Sequence, residues 1–462
     1  MAKLWGPETT KAIANFPVSG ESIPIEVVHW LGRIKSAAAR VNADLGLLRP
    51  KARAARIAAA ADAVASGRHD AQFPVDVFQT GSGTSSNMNA NEVIAALAGK
   101  DVHPNDHVNL GQSSNDVFPS AVHLAALDLA TARLIPALDS LAKALEVKSR
   151  TFRAIVKTGR THLMDAVPVT LGQEFAGYAA QVRLGRARIA DALPRLGQLP
   201  LGGTAAGTGL NAHPKFATRV RRLLRVGSGL RITAPADPFE AQSNRDALVE
   251  MSGALKVVAV SLMKISNDLR WMGSGPRAGL SELFLPPLQK GSSIMPGKVN
   301  PVIPEVVCQV SAQVIGNDVA ISIAGLSGNF EMNVMVPLMA RNLIQSIKLL
   351  AAAATLLSER CVVGIEANRP RIAMYAASNL QMATALNPHI GYDKASAIVK
   401  EALASNRSIR EVAIAQGVAE SLLRDVMDVY AIANGNRPTG LPLRGKSRKA
   451  PAIRPRRRGQ FR

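Results

Sequence analysis

The stretch Gly291–Pro301 reads GSSIMPGKVNP, and its composition is that of a binding loop rather than of a helix or a strand. It places two hydroxyls, a cation and an amide close together, at Ser292, Ser293, Lys298 and Asn300. Its glycines and prolines interrupt regular structure, and the glycines let backbone N–H groups approach a ligand. An apolar helical pattern begins directly after it. We therefore predict a loop that closes over an anion, using backbone donors and the N-terminus of the next helix.

The composition of the 462-residue chain favours helices. Hydrophobic residues make up 47% of it and aromatic residues only 4%, and alanine occurs in runs such as Ala351–Ala354. Alanine is the best helix former, whereas strands favour aromatic and β-branched residues. The length predicts two to four domains. Because we find no secretory segment and no apolar run of about 20 residues, we predict a cytoplasmic protein that does not enter a membrane.

The net charge of +21 is unusually high. Nine of the cations, and no acid, lie in the stretch that begins at Leu441. Residues 434–462 are rich in Gly, Pro and Arg and poor in apolar residues, so we predict that they form a disordered basic tail. A positive chain raises the local concentration of an anionic substrate. It could also bind nucleic acid, although the tail has only Phe461 as an aromatic residue and contains no reading motif.

Polar blocks separate the long helical patterns of the chain. The helical patterns cover residues 24–66, 117–146 and 248–270, and we interpret the cations Arg33, Lys35 and Arg40 of the first as a solvated face. The hydroxyls of the second block are predicted to cap a helix. The blocks are LWGPETTK at Leu4–Lys11, QTGSGTSSNMNANE at Gln79–Glu92, VHPNDHVNLGQSSND at Val102–Asp116, KTGRTHLMDAVPVTLGQEFAGY at Lys157–Tyr178 and LGGTAAGTGLNAHP at Leu201–Pro214.

In this order, the blocks and the loop resemble the fumarase/aspartase superfamily, whose members add or eliminate water, ammonia or an amine at fumarate. The resemblance spans roughly residues 4–368. It implies an all-α fold with three domains: an N-terminal helical domain at 1–111, a long central bundle at 112–365 and a small C-terminal domain at 366–433. It also implies a homotetramer in which four bundles form the core and each active site combines blocks from three chains.

The resemblance also assigns roles to individual residues. It implies no cofactor and no metal, so we do not interpret His103, Asp106 and His107 as a metal site. The implied catalytic residues are Ser292, His162 and Glu305. The implied substrate-binding residues are Ser82, Gly83, Thr84, Ser113, Ser114, Asn115, Thr161, Ser293, Lys298, Val299 and Asn300. A secondary anion site near the entrance is implied at His103, Pro104, Asn105 and Asp106.

The implied substrate is a small dicarboxylate, and the implied reaction is the reversible elimination of water from (S)-malate to give fumarate in the tricarboxylic acid cycle. Removing a proton beside a carboxylate creates a trianionic aci-acid, so the site must hold more negative charge in the transition state than in the ground state. Residue type alone favours His162 as the base. The resemblance instead assigns the base to Ser292, as an alkoxide stabilised by loop N–H groups and Lys298. It places His162, with Glu305, at the leaving hydroxyl.

Two other functions compete with fumarate hydratase. The first is aspartate ammonia-lyase, a member of the same superfamily, and PVIPEVV at Pro301–Val307 also occurs in such members. Four short strings favour the hydratase: GSGT at Gly81–Thr84, SSND at Ser113–Asp116, GGTA at Gly202–Ala205 and GNFE at Gly328–Glu331. The second, from a different class, is a nucleic-acid-binding protein that uses the basic tail.

Overall fold

The computed structural model describes residues 3–435, and these are predominantly helical, which confirms the predicted all-α class. The predicted disordered tail lies, from residue 436 onward, outside the described residues. The helices are α1 Pro7–Asn15, α2 Ile25–Asp44, α3 Lys51–Ala65, α4 Thr84–Ala98, α5 Ser114–Leu129, α6 Ile135–Thr151, α7 Leu171–Leu196, α8 Phe216–Ser228, α9 Pro238–Ser243, α10 Asp246–Met272, α11 Val302–Leu326, α12 Val336–Leu356, α13 Arg369–Ala377, α14 Asn387–Ile390, α15 Tyr392–Ser405, α16 Ile409–Ala415, α17 Glu420–Val426 and α18 Val429–Ala433.

Short elements complete the described chain. Three are 3₁₀-helices, at Asp70–Gln72, Val362–Gly364 and Leu380–Leu386, and three are π-helical turns, at Pro104–Val108, Ala130–Leu134 and Leu357–Cys361. The strands are β1 Val156–Thr161, β2 Met164–Thr170, β3 Leu283–Phe284 and β4 Glu366–Ala367, which pair antiparallel as β1–β2 and β3–β4. Contacts divide the chain into a larger unit, residues 3–151 and 175–368, and a smaller unit, residues 152–174 and 369–435. The predicted three-domain boundaries stay predictions.

In the larger unit, the carboxylate of Glu92 on α4 fixes the N-terminal segment. Its oxygens accept hydrogen bonds from the backbone N–H groups of Gly6, Glu8 and Thr9 at 2.9–3.1 Å, and from the Thr9 hydroxyl at 2.6 Å. These groups lie at the start of α1, where N–H groups have no partner inside the helix. The carboxylate therefore caps α1 and joins the block at Leu4–Lys11 to the block that ends with Glu92.

The bundle of the larger unit consists of α5, α6, α7, α10, α11 and α12. Helices α5 and α6 form one continuous rod, with a π-helical turn between them. The turn lies just before Pro136, which lacks an N–H donor and cannot continue regular α-helical bonding. Tyr178 on α7 donates to Asp268 on α10 at 2.8 Å, and Arg183 on α7 donates to Asp139 on α6 at 2.8 Å. These bonds fix α7 against its neighbours.

A polar pair in the middle of α11 joins it to both adjacent helices. Asp318 accepts from Ser252 at 2.7 Å and from Lys256 at 2.6 Å, both on α10. Asn317 donates to Gln345 at 2.9 Å and to Ser346 at 3.0 Å, both on α12. Both residues of the pair are buried, so these bonds also satisfy polar groups that water cannot reach.

Two helical segments are long and apolar enough to cross a membrane by length and composition alone. In Ser114–Thr151, 67% of the most apolar window is buried within the protein, as for the core helix of any large domain. In Val302–Leu326 that share is only 33%. Helix α11 therefore leaves apolar side chains exposed on this chain, among them Val319, Ile323 and Leu326.

The smaller unit contains the β1–β2 hairpin and helices α13–α18. Thr158 on β1 donates to the carbonyl of Tyr375 at 3.0 Å, and Asn379 donates to the carbonyl of Ala166 on β2 at 2.8 Å. A second apolar core, which includes Leu386, Ile398, Val412 and Leu423, holds α15–α17 together. The shorter helices predicted after residue 369 are confirmed.

Candidate active site

The residues Ser113–Asp116, which end the predicted block at Val102–Asp116, lie at the start of α5. The Ser113 hydroxyl accepts from the backbone N–H of Asn115 at 3.2 Å, and Asp116 accepts from the N–H of Ser113 at 2.9 Å, which forms a capping box. The other oxygen of Asp116 accepts from the N–H groups of Gly202 and Thr204, at 2.8 and 3.1 Å. This buried carboxylate thus holds the Gly/Thr-rich connection against the N-terminus of α5.

The pKa of Asp116 is raised to about 6, with burial as the main cause, while the backbone N–H donors act in the opposite direction. Asn115 strengthens the same junction, because its side chain donates to the carbonyl of Ala205 at 2.9 Å. The two predicted blocks at Ser113–Asp116 and Leu201–Pro214 therefore form one structural element, although nearly ninety residues separate them along the chain.

The second block begins α4, and its glycines have steric roles. Gly83 adopts a left-handed conformation with φ of 77°, and a Cβ added there would lie 2.2 Å from Phe118 on α5. A Cβ on Gly81 would lie 1.6 Å from the carbonyl oxygen of Val334. Only glycine fits at either position, so this loop packs directly against α5 and against the segment before α12.

The predicted hydroxyl cap of α4 is wrong. The N-cap residue is Gly83, which has no side chain, and the side-chain oxygen of Gln79 instead accepts the N–H of Ser86 at 3.0 Å. The hydroxyls of Ser82 and Thr84 bond each other at 2.7 Å. They are thus not used as caps, which leaves both hydroxyls beside a helix N-terminus that favours an anion.

The starts of α4 and α5 are joined by asparagines. Asn87 donates to the Ser114 hydroxyl at 3.1 Å and to the side-chain oxygen of Asn109 at 3.2 Å. Two helix N-termini with their predicted substrate-binding residues are therefore brought together within the larger unit. Such a pair of positive dipole ends, with hydroxyl and amide donors, is suited to a carboxylate.

Lys35 lies behind this pair, and its interpretation as part of a solvated face is wrong. Its side chain on α2 is fully buried, and Nζ donates to Asn109 Oδ1 at 3.3 Å. Burial lowers the pKa of Lys35 to about 7, and Asp116 acts in the opposite direction. A sequence signal existed, because Lys35 follows Leu31 by four residues and precedes Ala38 by three, which places it on the apolar stripe of α2.

The loop Gly291–Pro301 folds around Ser292. The Ser292 hydroxyl accepts from the backbone N–H groups of Ile294 and Met295, at 3.2 and 3.0 Å. The base of the loop is closed by Asn300, which donates to the carbonyl of Gly291 at 2.7 Å, and by the N–H of Gly291, which donates to the carbonyl of Lys298 at 2.8 Å. The loop borders a cavity of about 620 Å³, and Ser293, Lys298 and Val299 are exposed.

Within residues 3–435, the hydrogen bonds made by residues 291–301 all end inside residues 291–305. The single chain therefore does not join this loop by hydrogen bonds to the predicted substrate-binding residues of α4 and α5. Glu305 lies in the first turn of α11.

His162 and Thr161 belong to the smaller unit. His162 and Leu163 form the two-residue turn of the β1–β2 hairpin, with φ of 57° and 61°. Positive φ is uncommon for residues other than glycine and costs backbone energy. Thr161, His162 and Leu163 are exposed. The sequence pattern does not predict this hairpin, and the pairing of His162 with Glu305 stays a prediction.

The predicted secondary anion site lies on a single π-helical turn. His103 Nδ1 accepts from the N–H of Asp106 at 3.1 Å, and the N–H of His103 donates to His107 Nδ1 at 2.8 Å. Asn105 and Asp106 are exposed, and Pro104 is half-buried. The pKa of His107 is lowered, chiefly by its partial burial and then by the nearby Arg53. In the part of the chain that the structure describes, His, Cys, Asp and Glu form no group of three or more that could hold a metal.

Comparisons with known proteins give consistent matches. A family model described as lyase matches residues 1–316, which include every predicted site residue, and a model of the fumarase C C-terminus matches residues 382–434. A class II fumarate hydratase of Mycobacterium tuberculosis is 55% identical over 419 residues, 90% of this chain and 88% of the relative. One of Corynebacterium efficiens is 52% identical over 444 residues, 94% of each chain. The crystal structure of a class II fumarase from Schistosoma mansoni has a TM-score of 0.91 at 36% identity, covering 94% of this chain and 96% of that one.

Proposed function

This chain belongs to the class II fumarate hydratase family, and we propose that it catalyses the reversible dehydration of (S)-malate to fumarate as a hydro-lyase of the tricarboxylic acid cycle. In the forward direction, a base removes a proton from the carbon beside one carboxylate. The electron pair moves into that carboxylate and forms the aci-acid. The hydroxyl on the neighbouring carbon then takes a proton and leaves as water, and the carbon–carbon double bond forms.

The environment of Ser292 carries this proposal. Its oxygen receives two backbone N–H groups, from Ile294 and Met295, within a loop that also presents Lys298. Hydrogen bonds to the charged form of a group favour that form, and a positive charge nearby does the same. An alkoxide at Ser292 would be stabilised in this way, and it is a strong enough base for a carbon acid. The same donors and Lys298 can stabilise the developing aci-acid.

The starts of α4 and α5 supply the second part of the proposed site. Ser82, Thr84, Ser113 and Asn115 provide neutral donors at two helix N-termini that are joined by Asn87. Neutral donors bind a carboxylate without adding a fixed cation next to the reacting carbon. We assign this element to the substrate carboxylates and the loop to the proton transfer.

We assign His162, with Glu305, to the leaving hydroxyl. The exposure of His162 at a hairpin tip leaves its ring available to a substrate or to a bridging water. Glu305 lies in the first turn of α11, beside the predicted loop. A carboxylate that accepts a hydrogen bond from an imidazole favours the protonated ring, which can then deliver a proton to the departing hydroxyl.

We further propose that four chains assemble and that each site combines residues of three of them. Two features support this. The apolar side chains of α11 that the chain leaves exposed need a partner surface. In addition, Ser292 shares no hydrogen-bond network with the substrate-binding element of its own chain within the described residues. We therefore propose that the parts of one site come from different copies and that a monomer is inactive.

The test compares malate with aspartate, because aspartate ammonia-lyase is the competing function. Purified protein should form fumarate from malate, measured by its ultraviolet absorbance, and should release no ammonia from aspartate. Ser292→Ala serves as the negative control for both substrates. Faster release of ammonia from aspartate than of water from malate would overturn the assignment. A cytoplasmic location is part of the same proposal, and fractionation of cells that express the tagged protein tests it.

A further inference from the structure

One stretch of the larger unit carries far more positive charge than its surroundings. Residues 192–236 contain seven cations and not a single Asp or Glu. Arg195 pairs with Glu250, and Arg221 donates to the carbonyl of Leu201 at 2.7 Å. The remaining five are Lys215, Arg219, Arg222, Arg225 and Arg231, all of them exposed. Within residues 3–435, none of these five has a carboxylate within ion-pair distance.

Four of these cations form one face of α8, which we call the α8 basic face: Lys215, Arg219, Arg222 and Arg225. The buried face of the helix consists of Phe216, Val220 and Leu224, and it packs against α2. At 100° per residue, the three arginines are centred almost opposite these apolar side chains. The helix therefore turns its cations outward, into solvent, in a row about 15 Å long.

We infer that the α8 basic face binds the phosphate backbone of nucleic acid without sequence specificity. One strand of duplex DNA carries a phosphate about every 3.4 Å along its axis, so a 15 Å row of cations meets several phosphates at once. Arginine forms bidentate hydrogen bonds with phosphate and is weakly hydrated, which makes it the preferred side chain for this contact. This inference does not depend on the proposed reaction.

The geometry favours nucleic acid over a membrane surface. A basic amphipathic helix binds membranes by burying its apolar face among the lipids. In α8 the side chains of Phe216, Val220 and Leu224 already pack within the protein, which leaves Leu223 and Val226 as exposed apolar side chains. Two such side chains offer little apolar surface for insertion among lipids, so the row of exposed arginines matches a charged rod better than a bilayer.

The test uses the full-length chain and a fluorescein-labelled 30-base-pair DNA duplex of arbitrary sequence. Binding is followed by fluorescence anisotropy between 50 and 200 mM NaCl. Each phosphate contact contributes about 0.9 to the slope of log K against log salt. The triple variant Arg219→Gln, Arg222→Gln and Arg225→Gln should lower that slope by about 2.7, so its affinity should fall about 40-fold less than that of the unmodified protein across this range.

The matched control removes the same charge elsewhere. Lys394, Lys400 and Arg424 are exposed cations of the smaller unit, and none has an ion pair within the described residues. The triple change of these three to Gln should leave the slope of log K unchanged. All three proteins keep the basic C-terminal stretch, so its contribution to binding is common to them. Unchanged malate turnover at moderate salt verifies that both variants fold.

Four results would overturn the inference. An unchanged slope in the α8 variant would show that the helix does not contact phosphates. An equal reduction in both variants would assign the binding to net charge alone. The third result is that the α8 variant binds DNA duplex normally but no longer binds vesicles of 75% phosphatidylcholine and 25% phosphatidylserine. This result would identify a membrane surface as the partner instead. The fourth result is that the α8 variant binds DNA duplex normally but has a lower kcat/KM for malate at low salt. This result would mean that the α8 basic face attracts the substrate and does not bind nucleic acid.

Discussion

Lys35 Nζ lies 3.3 Å from Asn109 Oδ1, and this bond places a fully buried amine directly behind the two helix starts of the proposed site. Burial lowers the pKa of Lys35 to about 7, far below that of an exposed lysine. Between about pH 7 and 10.5 the unfolded chain therefore binds a proton that the folded protein has lost. Because the unfolded state binds more protons, raising the pH through this window stabilises the folded state.

We expect Lys35→Met to remove this pH dependence. Over two pH units above 7, Lys35 contributes up to roughly 3 kcal/mol to the increase in the free energy of unfolding. The measurement is urea unfolding at pH 7 and pH 9 at one fixed protein concentration, since assembly also affects stability. Lys51→Met, at an exposed lysine, is the control and should keep the dependence. The same pH dependence in Lys35→Met and the unmodified protein would contradict this account.

Gly83→Ala should destabilise the larger unit and abolish turnover. The added Cβ would lie 2.2 Å from Phe118, a fully buried side chain, and the left-handed backbone adds strain. Gly20→Ala isolates the strain, because Gly20 has φ of 73° with no atom within 4 Å of an added Cβ. We expect Gly20→Ala to cost about 1 kcal/mol and Gly83→Ala several times as much, as measured by thermal unfolding. Equal losses would mean that Phe118 moves aside freely.

Ser292→Ala should reduce malate turnover by a factor of about 10² to 10⁴, the range expected when a positioned base is lost. The side chain is small and only partly buried, so the loss should leave assembly unchanged in size-exclusion chromatography. Ser421→Ala, an exposed serine of α17, is the control and should keep full activity. Near-normal turnover of Ser292→Ala would remove this residue from the role of base.

Removal of residues 441–462 should leave malate turnover unchanged at moderate salt. This stretch lies outside the described residues, and it carries nine cations. Dissolved salt screens the attraction between these cations and the dianionic substrate, with a Debye length of about 8 Å at physiological salt. A small loss of kcat/KM at low ionic strength, measured by salt titration, is compatible with long-range attraction. A large fall at moderate salt, with assembly preserved, would mean that the tail contributes directly to the site.

Much of the fold followed from residue patterns. The apolar periods at residues 24–66, 117–146 and 248–270 correspond to helices α2 and α3, α5 and α6, and α10, because long amphipathic helices repeat their signal over many turns. The β1–β2 hairpin was missed. Its buried positions include Lys157 and Thr158, so it lacks the apolar alternation by which strands are recognised, and its turn contains neither glycine nor asparagine.

The candidate site was predicted from sequence strings, and these strings did not give its geometry. The strings located Ser113, Asn115 and Ser292, but local sequence could not show that Asp116 accepts N–H groups from the block at Gly202–Ala205. Such long-range bonds depend on tertiary packing. Lys35 was misinterpreted for the same reason: a charged residue on an apolar stripe is normally exposed at its tip, and only the packed structure reveals its complete burial.

The smaller unit has a consequence for the order of events during synthesis. Thr158 on β1 bonds to Tyr375, 217 residues further along the chain. At 5–20 residues per second, the ribosome needs roughly 10 to 40 seconds to make the intervening segment. The hairpin that carries His162 must wait during this time without its partner helices. Until they emerge, the strand pair is accessible to chaperones and proteases.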